Sequence, residues 1–155
     1  MNIKQYLDST YLKTALQANL SEIENSKAVE NFIKEAISEE FKLVMIRPDK
    51  VQLAKKMIDK ANSKVLLGTV IDFPEGNSNL DKKLEEAQEA KKNQADELDF
   101  VINYNAFKRG ETTVIKQEII ACTQLGLLNK KAIKFIIEVA EIGRASCRER
   151  VSRSV

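Results

Sequence analysis

What most constrains this chain is a strict alternation: short apolar runs of strand character take turns with amphipathic stretches of helical period, separated by turns of a few residues. Val29, Phe32, Ile33, Ala36 and Ile37 recur at three-and-four spacing, the mark of an amphipathic helix. "FKLVMIRP" follows, a β-branched and apolar run stopped by Pro48, and reads as a buried strand. Pro48 suits the first turn of the next helix, where Val51, Ala54, Met57 and Ile58 keep helical spacing. "KVLLGTVIDFP" is the second strand. The polar turn "EGNSN" leads into a helix carrying Leu80, Leu84 and Ala87, with Glu85 and Glu86 among lysines on its solvated side. "DELDFVINY" is the third strand and "TVIKQEIIACTQLG" the next helix, with Gly126 as its C-cap; "AIKFIIEVA" is the fourth strand. Alternation with short connections of this kind specifies an α/β chain with a parallel sheet.

Two architectures share that order, an open doubly wound sheet and part of an eight-fold barrel. A complete barrel takes about 250 residues, so four strands in 155 residues would make half of one. Side chains alternate along a strand, which puts Leu98, Phe100 and Ile102 on one face of the third strand and Glu97, Asp99, Val101 and Asn103 on the other. The fourth strand opposes Phe135, Ile137 and Val139 to Lys134, Ile136 and Glu138. Strands covered by helices on both faces run almost continuously apolar. A barrel interior holding reactive polar groups, with the apolar face toward outer helices, accounts for the charge on one face; a solvated face or a sheet edge accounts for it equally.

Chemistry is bounded by composition. There is no histidine, which removes the usual general base and the commonest metal ligand. Asp, Glu, Lys and Tyr must do any acid and base work. The net charge of +2 is accounted for by the last fifteen residues, with four arginines against two glutamates, so the remainder is neutral and carries no basic stripe interleaved with aromatics. Small metabolites, rather than nucleic acid, are the expected partners. No apolar run is long enough to span a bilayer and none precedes a cleavage site, so the default location is cytoplasmic and membrane-free. Cys122, on the apolar side of its helix, reads as core packing.

Asp99 lies mid-strand where an unpaired carboxylate would be costly to bury, and Lys134 offers the opposite charge at a similar depth on the following strand. An internal salt bridge and a tuned proton relay both use such a pair. The residues alone leave both open.

Five blocks then carry a resemblance. "YLDSTYLK" (Tyr6 to Lys13), "VMIRPDKV" (Val44 to Val51), "GTVIDFPEG" (Gly68 to Gly76), "ADELDFVINYNAFKRGE" (Ala95 to Glu111) and "IKFIIEV" (Ile133 to Val139) resemble, in order and spacing, the deoxyribose-phosphate aldolase family. The resemblance implies a partial (β/α)8 TIM barrel of about four βα units with an N-terminal helix. It also implies a cofactor-free and metal-free Schiff-base reaction on 2-deoxy-D-ribose 5-phosphate, with oligomers possible for the full-length enzyme. It assigns the proton-relay aspartate to Asp99 and active-site support to Lys134 and Asp8. Ser9 stands where the family usually has His, Met45 where it often has Cys, and Arg47 where Asn is common; Asp72 and Glu75 replace a small and an apolar residue. The family's nucleophilic lysine belongs to a "K-small-S/T-T-G" block, and residues 1–140 contain no such block. Its phosphate site belongs to loops after the seventh and eighth strands.

"EIGRASCRERV", from Glu141, resembles the in-frame translation of a sequencing-library adapter. The expectation is therefore that residues 1–140 are the N-terminal half of an aldolase barrel and that 141–155 are a non-native tail. The rival expectation is a complete doubly wound module that binds or signals through acidic strand-end residues, with Asp72 or Asp99 near a ligand or metal.

Overall fold

The chain opens on a strand that its hydropathy hides. In the computed structural model, which describes residues 3–143, Asp8–Tyr11 forms β1, although "DSTY" has neither an apolar run nor a clean alternation. β1 pairs in parallel with β2 (Leu43–Ile46), Asp8 opposite Leu43 and Tyr11 opposite Ile46, and β2 pairs in parallel with β3 (Leu66–Ile71). With β4 (Glu97–Val101) and β5 (Ala132–Ile136) they form one sheet in the order β1, β2, β3, β4, β5. A doubly wound sheet reverses its strand order at a switch point. Five strands in unbroken sequence order are the beginning of a barrel, so the doubly wound reading is set aside.

The helices are α1 (Ala15–Ala18), α2 (Glu22–Ser38), α3 (Val51–Lys60), α4 (Leu80–Lys92), α5 (Tyr104–Lys108), α6 (Thr112–Asn129) and α7 (Val139–Ile142). None among the described residues is long and apolar enough to cross a membrane. The residues divide into two compact units, 3–70 with 88–98, and 71–87 with 99–143.

In the first unit, α1 and α2 each start from a capping box. Ser21 Oγ accepts from Glu24 N while the Glu24 carboxylate accepts from Ser21 N, and Thr14 and Gln17 repeat the exchange. Val29, Ile33 and Ala36 of α2 are buried, as are Val51, Ala54 and Ile58 of α3 and every residue of β2. Gly68 lies opposite Met45, and a side chain there would begin 2.5 Å from the Met45 methyl and 2.9 Å from Leu43 Cδ2. The Asp96 carboxylate accepts from Leu67 N at 3.0 Å, and Asp96 N donates to Leu67 O at 2.7 Å.

In the second unit the organising group is Lys83, fully buried on α4. It shares a helical row with buried Ala87, four residues on, so the row that faces the core carries a charge where the sequence pattern places only solvated lysines. Its ammonium donates to Val101 O at 2.7 Å, to Gly76 O at 3.0 Å and to the Glu118 carboxylate, with Asp72 Oδ2 at 3.4 Å. Glu118 is itself buried on α6, and its second oxygen accepts from Asn103 N. Gly76 is held at φ +60°, and a side chain there would collide with Ile102 O. The loop after β3 is thereby fastened to the end of β4 and to α6.

Three sequence expectations are corrected here. Gly126 is no C-cap: α6 runs on to Asn129, Lys130 ends it in the left-handed region, and Gly126 makes room for Ile133. β5 stops at Ile136, because Glu138 turns to φ +44° and starts α7. α5 is a short helix in what reads as the strand-to-helix turn, with the Asn103 side chain accepting from Ala106 N. The adapter-like segment falls on residues of which 144–155 lie outside the described residues.

Replacing Lys83 by Met strands Glu118 in the interior, so urea unfolding should show a loss of about 3–5 kcal/mol, with the double variant Lys83→Met, Glu118→Leu recovering much of it. Equal losses in the single and double variants would contradict the coupling. Cys122 on α6 gives a pH test. Burial, aided by Glu118, pushes its thiol up to about 12 from the ordinary 9.0. The folded state keeps the proton that the unfolded chain releases, so this contribution is whole below about pH 9 and is lost as pH rises through about 12. Wild type should lose stability relative to Cys122→Ala across that window; a constant difference would refute the assignment.

Candidate functional site

Asp99 and Lys134 are each the third residue of their strand, and the sheet brings them side by side: Asp99 Oδ2 lies 3.8 Å from Lys134 Nζ. The next residue of each strand turns to the opposite face, where the Phe100 and Phe135 rings sit 6.2 Å apart. Strand alternation alone therefore sorts this part of the unit into a polar face and an aromatic one. The Asp99 side chain is 14% exposed and that of Lys134 41%. A carboxylate at this depth beside an ammonium is placed to exchange a proton through water.

The residues after β4 build a rim in the same unit. The Tyr104 hydroxyl donates to Glu75 Oε2 at 3.3 Å, and the Lys108 ammonium lies 5.3 Å from the centre of the Tyr104 ring. Burial, then the Glu75 carboxylate, holds the Tyr104 phenol above its ordinary range, so it stays a hydrogen-bond donor. Lys108 also reaches Glu141 Oε2 at 3.4 Å. Asp72, which the rival reading offers to a ligand or metal, is engaged by the protein: its Oδ2 accepts from Ser78 N at 2.9 Å and faces Lys83.

Asp8 belongs to the first unit, where it opens β1 opposite Leu43. Met45 is buried on β2, and Arg47, just past the strand, donates to Leu12 O at 3.3 Å. Lys83 and Glu118 are the residues that a sequence pattern passes over. A signal for them does exist: each sits four residues from a buried small residue on its helix, Ala87 and Cys122, and the two charges are opposite.

Comparison with known proteins gives the frame for this geometry. The family model described as DeoC/LacD family aldolase matches residues 5–150. A deoxyribose-phosphate aldolase of Metamycoplasma hominis is 37% identical over 143 residues, covering 92% of this chain and 60% of that protein. One from Thermococcus gammatolerans is 32% identical over 138 residues, covering 89% and 58%. Among solved structures, the aldolase QR15 superposes with a TM-score of 0.77 at 27% identity over 98% of this chain and 62% of that one. The tetrameric deoxyribose phosphate aldolase of Aeropyrum pernix gives 0.72 at 25% identity over 88% and 52%. The chain thus spans about 60% of the length of the curated relatives it matches. On its sequence and on its run of five strands in order, the chain belongs to the DeoC/LacD family of aldolases.

Proposed function

We propose that residues 1–140 are the first half of a deoxyribose-phosphate aldolase, which cleaves 2-deoxy-D-ribose 5-phosphate to D-glyceraldehyde 3-phosphate and acetaldehyde. The observation that carries the reading is the Asp99 and Lys134 pair, set on one face of neighbouring strands in a chain of this aldolase family. In this reading a lysine from the remaining barrel units adds to the substrate aldehyde and loses water to form an iminium. The hydroxyl on carbon three gives up its proton, the bond between carbons two and three breaks, and its electron pair passes into the iminium to give an enamine. Protonation of the enamine at carbon two and hydrolysis release acetaldehyde and the lysine. The iminium is the electron sink, so the reaction calls for neither metal nor cofactor.

Asp99 moves the protons through a bound water, and Lys134 favours its ionised form. Asp8 supports the site from β1. A second lysine, also from the remaining units, keeps the nucleophilic amine deprotonated by like-charge repulsion. Without those units the chain of 155 residues carries no aldolase activity. We also read residues 141–155 as the adapter-derived tail, the whole enzyme as cytoplasmic, and its partners as a phosphorylated sugar and further copies of itself.

The gene itself tests the first claim: read past the codon for Ala140 in an independent clone, it should continue into further βα units with a "K-small-S/T-T-G" block. A stop codon there would sink the half-barrel reading. In the completed protein, borohydride should trap acetaldehyde on one lysine. Asp99→Asn should lower kcat by roughly 10²- to 10⁴-fold with a much smaller change in KM. A kcat within a few-fold of wild type would remove Asp99 from the relay.

A further inference from the structure

Past the carboxyl ends of β1 and β2, the first unit contains a cavity of about 440 Å³. Parallel α/β sheets hold their ligands at this end of the strands, and the volume is that of a small-molecule site. Tyr11, the last residue of β1, turns to the helix side, its ring 5.6 Å from that of Phe32 on α2. Its hydroxyl donates to Asn25 Oδ1 at 2.7 Å. Asn25 is only 6% exposed and lines the cavity. With its oxygen taken by Tyr11, what it offers is the pair of N–H donors on Nδ2, which meet no acceptor among the described residues. Nδ2 opens on the cavity, where an acceptor on a bound molecule can take the place of water.

Charge says what kind. Lys13 and Thr14 enter the wall directly after β1, and Arg47 and Lys50 directly after β2. Arg47 Nη1 is steadied on Leu12 O at 3.3 Å. Of the two carboxylates in the wall, Asp49 is neutralised by Lys50 at 3.2 Å, and Glu22 is exposed on the first turn of α2. Lys13 meets no carboxylate among the described residues. Cation and amide donors therefore approach from the end of β1, the end of β2 and α2. Three directions suit a tetrahedral oxyanion better than a planar one, and a guanidinium matches two of its oxygens at once.

We infer that this cavity binds a small molecule through a phosphate-monoester group, held between Arg47, Lys13 and the Asn25 amide. The space beyond the phosphate takes its organic part. The inference stands apart from the aldolase reading, which gives no role to Arg47, Lys13 or Asn25.

The test uses the 155-residue chain labelled with nitrogen-15 and titrated with inorganic phosphate, with chloride and acetate at matched ionic strength as controls. Phosphate should shift the Asn25 side-chain amide, the Arg47 Nε and the Lys13 and Thr14 amides along one saturable curve. Arg47→Gln should weaken the apparent affinity about tenfold. Lys13→Gln, at an exposed position, should weaken it by a smaller factor. Asn25→Asp keeps the acceptor for Tyr11 but replaces the donors with charge, and should abolish binding. Shifts that chloride reproduces, or that stay linear in phosphate, would overturn the site. Equal response to acetate would overturn the phosphate assignment, and unchanged affinity in both Arg47→Gln and Lys13→Gln would overturn the placement.

Discussion

An ammonium ion with no solvent around it governs the second unit. Lys83 replaces its lost hydration with two backbone carbonyls and the carboxylate of Glu118, with Asp72 in reach. Burial of an ion pair is a weak source of stability in itself, because desolvation consumes most of the attraction. Its consequence is geometric. Gly76 O, Val101 O and Asn103 N come from the loop after β3 and from the end of β4, and the pair fixes all three. The left-handed turn at Gly76, the entry to α5 capped by Asn103 and the rim contact of Tyr104 with Glu75 all start from residues held in this way.

The same economy explains the polar face of β4. Asp99 is two residues before Val101, so a clamp on the Val101 carbonyl sets the exit of the strand on which Asp99 sits. Across from it, β5 is tied to the end of β4 by the Ile102 N to Ile136 O bond, two residues past Lys134. The distance between carboxylate and ammonium is thus determined by backbone bonds and by Phe100 packing near Phe135 on the reverse face. The two side chains need not find each other unaided.

Most of the fold could be read from hydropathy because β2, β3 and β4 are largely buried runs, and of the residues that the three-and-four spacing selects α2 buries Val29, Ile33 and Ala36 and α3 buries Val51, Ala54 and Ile58, with Phe32, Ile37 and Met57 half-buried. β1 escaped because its four residues have only half-buried or exposed side chains and are recruited by pairing with β2, an interaction that leaves no mark on the segment's own pattern. The Asp99 and Lys134 pair was legible, since alternation along two adjacent strands fixes which residues share a face. Lys83 and Glu118 were not, because each looks like an ordinary solvated residue until its partner, thirty-five residues away, is in place. Gly126 misled for a related reason: a glycine near a helix end signals a cap by its own flexibility, whereas here it answers to the bulk of Ile133.

The departures of β2 from the family pattern also lose their isolation in three dimensions. Met45 is larger than the cysteine common at that place, and its terminal methyl occupies the space that a side chain at residue 68 would need. Met45 and Gly68 lie opposite one another in the ladder, so extra volume on one strand is matched by its absence on the next, as close packing demands. Arg47 departs in charge instead of volume, and it is answered by the Leu12 carbonyl at the exit of β1. One substitution is absorbed by a neighbour's shape and the other by a neighbour's backbone. Both compensations run across the sheet, between strands that are adjacent in space and more than twenty residues apart in sequence, which is why a change read one position at a time looks like a loss where the folded chain shows an exchange.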